Sequence, residues 1–206
     1  VYPAFEGFGP LKDGTNTLLI GYFNRNKEAV DVPIGPDNRI EPGGPDMGQP
    51  THFQPGRRTG MFLVRVPRDF SPQQRLTWTI VANGQSTVIP LRLHTDYNVS
   101  PFADVAVGNT PPVVRFEEQG PPVQGPVMTL DRAPTRTTAV GSPLSLTVWV
   151  SDDAKYSSGS NAPLRNAPPP VELTWSKYRG PGDVTFDQAQ PRLEVLAGGA
   201  VNTPFS

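Results

Sequence analysis

The chain has 206 residues, a formal net charge of −1, 36% hydrophobic and 18% charged residues, a balance too apolar and too weakly charged for a disordered chain. Its 26 Pro and 20 Gly interrupt every stretch in which an amphipathic helix could form, so the composition predicts an all-β protein. Lys and Arg are spread evenly along the chain and no Cys is present, which argues against the basic face of a nucleic-acid binder and excludes disulfides and thiolate metal sites.

Taken in order, residues 1–16 read as an extended arm carrying Tyr2, Phe5 and Phe8, aromatics that must bury against the chain's own first sheet or against a partner. Thr17–Phe23 (TLLIGYF) reads as a strand, with Ala29–Ile34 as its hairpin partner across the polar turn Asn24–Glu28. The following stretch, Gly35–Phe53, is dense in Gly, Pro and carboxylates. It is the expected recognition loop, with Arg39, His52 and Phe53 as contact residues. Met61–Val66 and Leu76–Val81 are two more strands, the second with Trp78 facing inward. Asn83-Gly84 is the strongest short hairpin signal in the chain, and Pro90 in the strand after it predicts an edge position.

The strand pattern lapses over 95–110 and restarts after Thr110-Pro111-Pro112. This predicts two domains, 1–110 and 111–206, each a β-sandwich with long Pro/Gly-rich loops. In the second, Val113–Phe116 is a short strand. Leu144, Leu146, Val148 and Val150 alternate with Ser145, Thr147, Trp149 and Ser151 along a longer one. That alternation sets Trp149 on the face opposite the apolar row, as a candidate contact residue, and gives Trp175 a core position on the strand Val171–Tyr178. Val184–Phe186 is a further short strand.

GSPLSLTVWVSDD followed by VELTWSKYRGPGDVTF resembles the PKD-type immunoglobulin-like domains of bacterial surface and secreted proteins. The resemblance covers roughly 113–206. It implies an immunoglobulin-like sandwich with a spacer or adhesion role, and no chemistry. The family closes with a hairpin that would follow Val201–Ser206, so the resemblance implies a second sandwich lacking its last strands. GYFNRN, VPIGPDNRIEPGGPDMGQPTHF and LTWTI are similar to an uncharacterised group of exported bacterial envelope proteins, a likeness that implies no function.

Candidate sites are sparse. Asp37, Asn38, Glu41 and Asp46 gather oxygen ligands within one loop, and Asp152-Asp153 ends a strand, so both permit calcium by composition, although Asp and Asn beside Gly and Pro are ordinary turn residues. His52 and His94 are the only histidines, too few for zinc without Cys. No G-x-S-x-G is present. The expectation is a non-enzymatic protein without cofactors. It would be exported, with the chain starting at Val1 as after removal of a signal peptide. It has no apolar run near the roughly 20 residues of a spanning helix, so no transmembrane segment is expected. The expected partners are proteins, in the most specific version an integral membrane complex such as a photosystem, braced from outside the bilayer. The alternative is a carbohydrate- or surface-binding module presenting Trp149, Tyr156 and Tyr178 as an aromatic row.

Overall fold

A computed structural model describes residues 1–100, 108–125, 134–153, 155, 169, 171–191 and 193. The protein is all-β: eleven strands and one 3-10 turn account for the regular structure of these residues. The chain divides into two compact units. Among the described residues the first holds 1–100 and Lys177–Thr185, and the second holds the remainder.

In the first unit, β1 (Tyr2–Pro10), β2 (Asn16–Asn24) and β6 (Gly56–Val66) form one antiparallel sheet in the order β1-β2-β6. A second sheet has the order β4-β7-β8, from β4 (Asn38–Glu41), β7 (Leu76–Ala82) and β8 (Gln85–Leu91). A short ladder pairs β3 (Val30–Asp31) with β5 (His52–Phe53). Period-2 alternation supplies the core between the two sheets. Leu18, Ile20 and Tyr22 of β2 and Phe62, Val64 and Val66 of β6 meet Ile40, Leu76, Trp78, Ile80 and Leu91 from the second sheet. Trp78 is fully buried, and its ring sits edge-on to Phe62 at 5.2 Å and beside Phe53 at 6.4 Å. Tyr22 meets the other side of Phe53 edge-on at 5.0 Å. This row of four aromatics crosses the core, and T-shaped pairs of this kind contribute about 0.5–1.5 kcal/mol each beyond area burial.

Two expectations change here. Residues 2–10 are a strand of the first sheet rather than an arm, paired along their length with β2. The partner of β2 across the polar turn is not the 29–34 segment, because β1 and β6 already occupy both of its edges. The chain instead leaves the first sheet at Asn24, forms the β3–β5 ladder, and enters the second sheet as β4. The Asn83-Gly84 hairpin is as expected. Both residues take positive φ (52° and 72°), as a two-residue type I′ turn requires, and Ala82 faces Gln85 across it. Pro90 lies on β8, an edge of its sheet, where its missing N–H leaves no ladder position empty.

The second unit contains β9 (Val113–Arg115), β10 (Val123–Gln124) and β11 (Trp149–Ser151) in the order β10-β9-β11. Val148, Val150 and Val171 form its small buried cluster, with Val114, Phe116, Leu173 and Trp175 packed against it. The predicted long strand through 144–150 is ordered into a ladder only at its end, and Leu144 is exposed. Burial from Val171 to Ser176 alternates as a strand would, yet the segment forms no ladder; the Trp175 amide donates to the Ala189 carbonyl at 2.8 Å. Val184–Phe186 also lies outside any ladder. Residues 156–168 and 194–206, with Tyr156, lie outside the described residues.

Candidate functional site

The loop between β3 and β5 is built on buried side-chain amides. Asn38, fully buried, donates through Nδ2 to the carbonyls of Val32 (3.0 Å) and Pro50 (2.7 Å), while its Oδ1 accepts the Trp78 indole N–H at 3.0 Å. All the hydrogen-bonding capacity facing the two strands and the core is used. Gln49, also fully buried, accepts the Met47 amide at 2.8 Å, and its Nε2 approaches the Asn38 carbonyl at 3.4 Å. At the other end Asn24 donates to the carbonyls of Glu28 and Phe53 and accepts from Asn26. A loop rich in Gly and Pro is thereby held as firmly as a strand, because leaving any of these groups unpaired in the interior would cost about 1–3 kcal/mol.

Onto this loop lies a segment from far along the sequence, Lys177–Gly182, which belongs to the same compact unit. The Tyr178 carbonyl accepts the amides of Thr51 and His52, both at 3.2 Å, and the Gly180 amide donates to Thr51 Oγ1 at 3.2 Å. Three side chains then each address acceptors of their own. Tyr178 Oη donates to the Gly48 carbonyl at 2.6 Å. Arg179 makes a bidentate pair with Asp46, both contacts 2.8 Å, and its Nε donates to the Gln49 carbonyl at 2.7 Å. Lys177 Nζ lies 3.5 Å from Asp31 Oδ1 and donates to the Gly182 carbonyl at 2.8 Å. Asp31 also holds His52 Nδ1 at 2.8 Å, its cross-strand neighbour in the β3–β5 ladder.

These contacts perturb the titrating groups. The Arg179 hydrogen bonds, aided by the Gly48 amide, hold Asp46 below the usual carboxylate value near 3.8 against the opposing effect of burial. At Asp31 burial pushes upward, but hydrogen bonding and charge from His52 and Lys177 together outweigh it and keep the group low. Burial drives the Tyr178 hydroxyl far up, so it is a neutral donor at any physiological pH. A lowered folded value means that the Asp46–Arg179 bond is fully present above the ordinary aspartate range and is lost as pH falls through the depressed value. NMR of the Arg179 Nε–H should therefore show a pH-dependent shift with a midpoint below 3.8, absent in Asp46→Asn. A midpoint at or above the ordinary value would contradict the pairing.

The residues singled out in the sequence fall in different places. Of the calcium candidates, Asp46 is taken up by Arg179, Glu41 by Arg39 at 2.7 Å, and Asp153 by Thr110 and Lys155. Asp37 is exposed and extends the β4–β7 ladder through its carbonyl, while Asp152 lies just past β11. Among the described residues no three His, Asp or Glu side chains converge as a metal site. Among the contact candidates, Phe53 is corrected: it is fully buried between Tyr22 and Trp78, because the β3–β5 ladder turns its ring into the core. Phe5 and Phe8 are half-buried against the same core, Phe5 also against Tyr97 at 5.5 Å. Arg39 lies against Glu41 and the Pro36 carbonyl, and His52 against Asp31. Trp149 is half-buried and absent from the valine cluster, on the face that alternation assigns it, opposite Arg115 of β9.

Tyr2 is exposed, and it has company that the sequence did not reveal. It faces Phe23 across β1 and β2, and Arg25 from the following turn stands over both rings, 5.1 Å from the Tyr2 centroid and 5.5 Å from that of Phe23. Two exposed aromatics with a guanidinium over both rings make a surface cluster. No short motif announces it, since Tyr2 and Arg25 come together only through strand register.

Comparison with known protein families, with curated proteins and with solved structures returns no match. The resemblances drawn from the motifs therefore rest on those residues alone.

Proposed function

We propose that the protein is a non-enzymatic interaction subunit that works outside the cytoplasmic membrane and braces a larger protein assembly. The observation that carries this reading is the exposed cluster of Tyr2, Phe23 and Arg25. Tyr and Arg are enriched in binding hot spots because they bring large contact area and directional polar groups. The partner class we favour is a protein complex of the membrane met from outside the bilayer; among the described residues no helix is long and apolar enough to cross one. The glycan-binding alternative needs Trp149, Tyr156 and Tyr178 as an open row, but Tyr178 is committed to the Gly48 carbonyl.

The test is native purification from the source cells with mass spectrometry of what co-migrates. Stoichiometric co-migration with membrane proteins, reduced at least tenfold by Arg25→Glu with an unchanged melting temperature, is the expected result. A chain that runs alone, or a complex indifferent to Arg25→Glu and Phe23→Ser, would overturn the assignment.

A further inference from the structure

Independently of the aromatic cluster, we infer that the Asp46–His52 loop is a peptide socket that reads Lys-Tyr-Arg-Gly, filled here by the chain's own Lys177–Gly180 and open to the same segment of a second copy. The geometry is that of recognition rather than of general packing. Tyr178 has the Gly48 carbonyl and Arg179 both the Asp46 carboxylate and the Gln49 carbonyl, while Lys177 stands 3.5 Å from Asp31 on β3, beside the loop, and donates to the Gly182 carbonyl of its own segment. The backbone is read as well, with two loop amides on one carbonyl and Thr51 Oγ1 on the Gly180 amide. Lys177 and Arg179 are largely covered, with side chains 8% and 18% exposed, so their charges are answered in a partly desolvated site.

The socket does not depend on the segment for its own order. Its shape is set by the side-chain amides of Asn38 and Gln49, whose side-chain bonds run to Val32, Asn38, Met47, Pro50 and Trp78, none of them in the segment. Among the described residues, the main core of the unit is formed by residues of the first hundred. An ordered socket and a separable ligand are the two conditions for exchange between copies. In the intact chain the tethered segment reaches the loop without a bimolecular step, so a single copy satisfies itself first.

Complementation tests this with two full-length variants, Y178A/R179A with an intact socket and D46A/T51A with an intact segment. Each alone should sediment as a monomer, and an equimolar mixture should form a heterodimer. The peptide Ser-Lys-Tyr-Arg-Gly-Pro-Gly should bind Y178A/R179A at least tenfold more tightly than it binds the unaltered chain, and should not bind when Asp46→Ala is added. A mixture that stays monomeric, with a peptide that binds neither form or both equally, overturns the proposal. Amide exchange in β2, β6 and β7 of Y178A/R179A is the folding control. If protection there collapses, the segment is part of the fold, and the proposal is overturned on that ground too.

Discussion

Asn38→Asp should be among the most damaging single substitutions in the first unit, although it changes one atom. The Nδ2 donor that satisfies the Val32 and Pro50 carbonyls would be replaced by an oxygen facing both of them. The residue is fully buried, and no cation answers it among the partners described for it. An uncompensated buried charge of this kind costs about 3–5 kcal/mol, against a total of roughly 5–15 kcal/mol for a domain. The expected fall in melting temperature at neutral pH is on the order of 15 °C. The sign of the pH dependence follows from the same geometry. Two carbonyls and the apolar surroundings raise the folded pKa of the N38D carboxylate, so the deficit exists above that value and shrinks as acid protonates the group. Asn38→Ala loses the same bonds without the charge, and should cost about 3 kcal/mol with no such pH dependence. An N38D chain within about 1 kcal/mol of the unaltered one would show that the amide is not the post on which the loop is built.

Gly21→Ala is the second large effect. Gly21 lies on the middle strand of the first sheet, with a β-bulge at Glu6 on one neighbour and an irregular register against β6 on the other. The Glu6 side chain reaches across it to the far strand, where its carboxylate takes the Arg57 guanidinium and the Gly60 amide, both at 2.6 Å. A Cβ on Gly21 would collide with Glu6 Oε1 and with the Arg58 carbonyl, and would press on Arg57 Nη1 at 2.9 Å. The Arg58 carbonyl is backbone and cannot step aside without disturbing the ladder. Overpacking here, added to loss of the three-strand bridge, should cost about 2–4 kcal/mol in chemical denaturation. Glu6→Ala in the same background should restore less than half of the loss, because the backbone collision remains. Full restoration would place the whole effect in the carboxylate and sink the reading of a locked bulge.

Both effects concern residues that a sequence reading passes over as ordinary. Asn38 in PDNRI looks like a turn residue or a calcium ligand, and Gly21 passes without comment inside the strand read over Thr17–Phe23. What distinguishes them is who stands opposite. Trp78 is 40 positions from Asn38 and Gly60 is 54 from Glu6, distances over which no local pattern in a single sequence carries information. The same reason hid the clasp, since Arg179 and Asp46 are 133 positions apart. Phe53 was misplaced by the company it keeps: flanked by polar loop residues it reads as exposed, whereas a two-residue ladder rotates it into the core.

The sequence by itself determined what depends on neighbours along the chain. Proline and glycine density settled the all-β class, apolar runs bounded by turn residues placed β2 and the second half of β6, alternation placed β7, and Asn83-Gly84 set its hairpin through the positive φ that a two-residue turn demands. Alternation also assigned Trp78 to the interior and Trp149 to the other face from its valines. Only the tertiary structure decided which strands pair and which polar groups meet. It made the first residues an edge strand, sent the chain across the sandwich between Asn24 and Asn38, and brought Lys177–Gly182 onto the loop it grips. Strand propensity is a local property of the backbone, whereas pairing and polar satisfaction depend on residues brought together from anywhere in the chain.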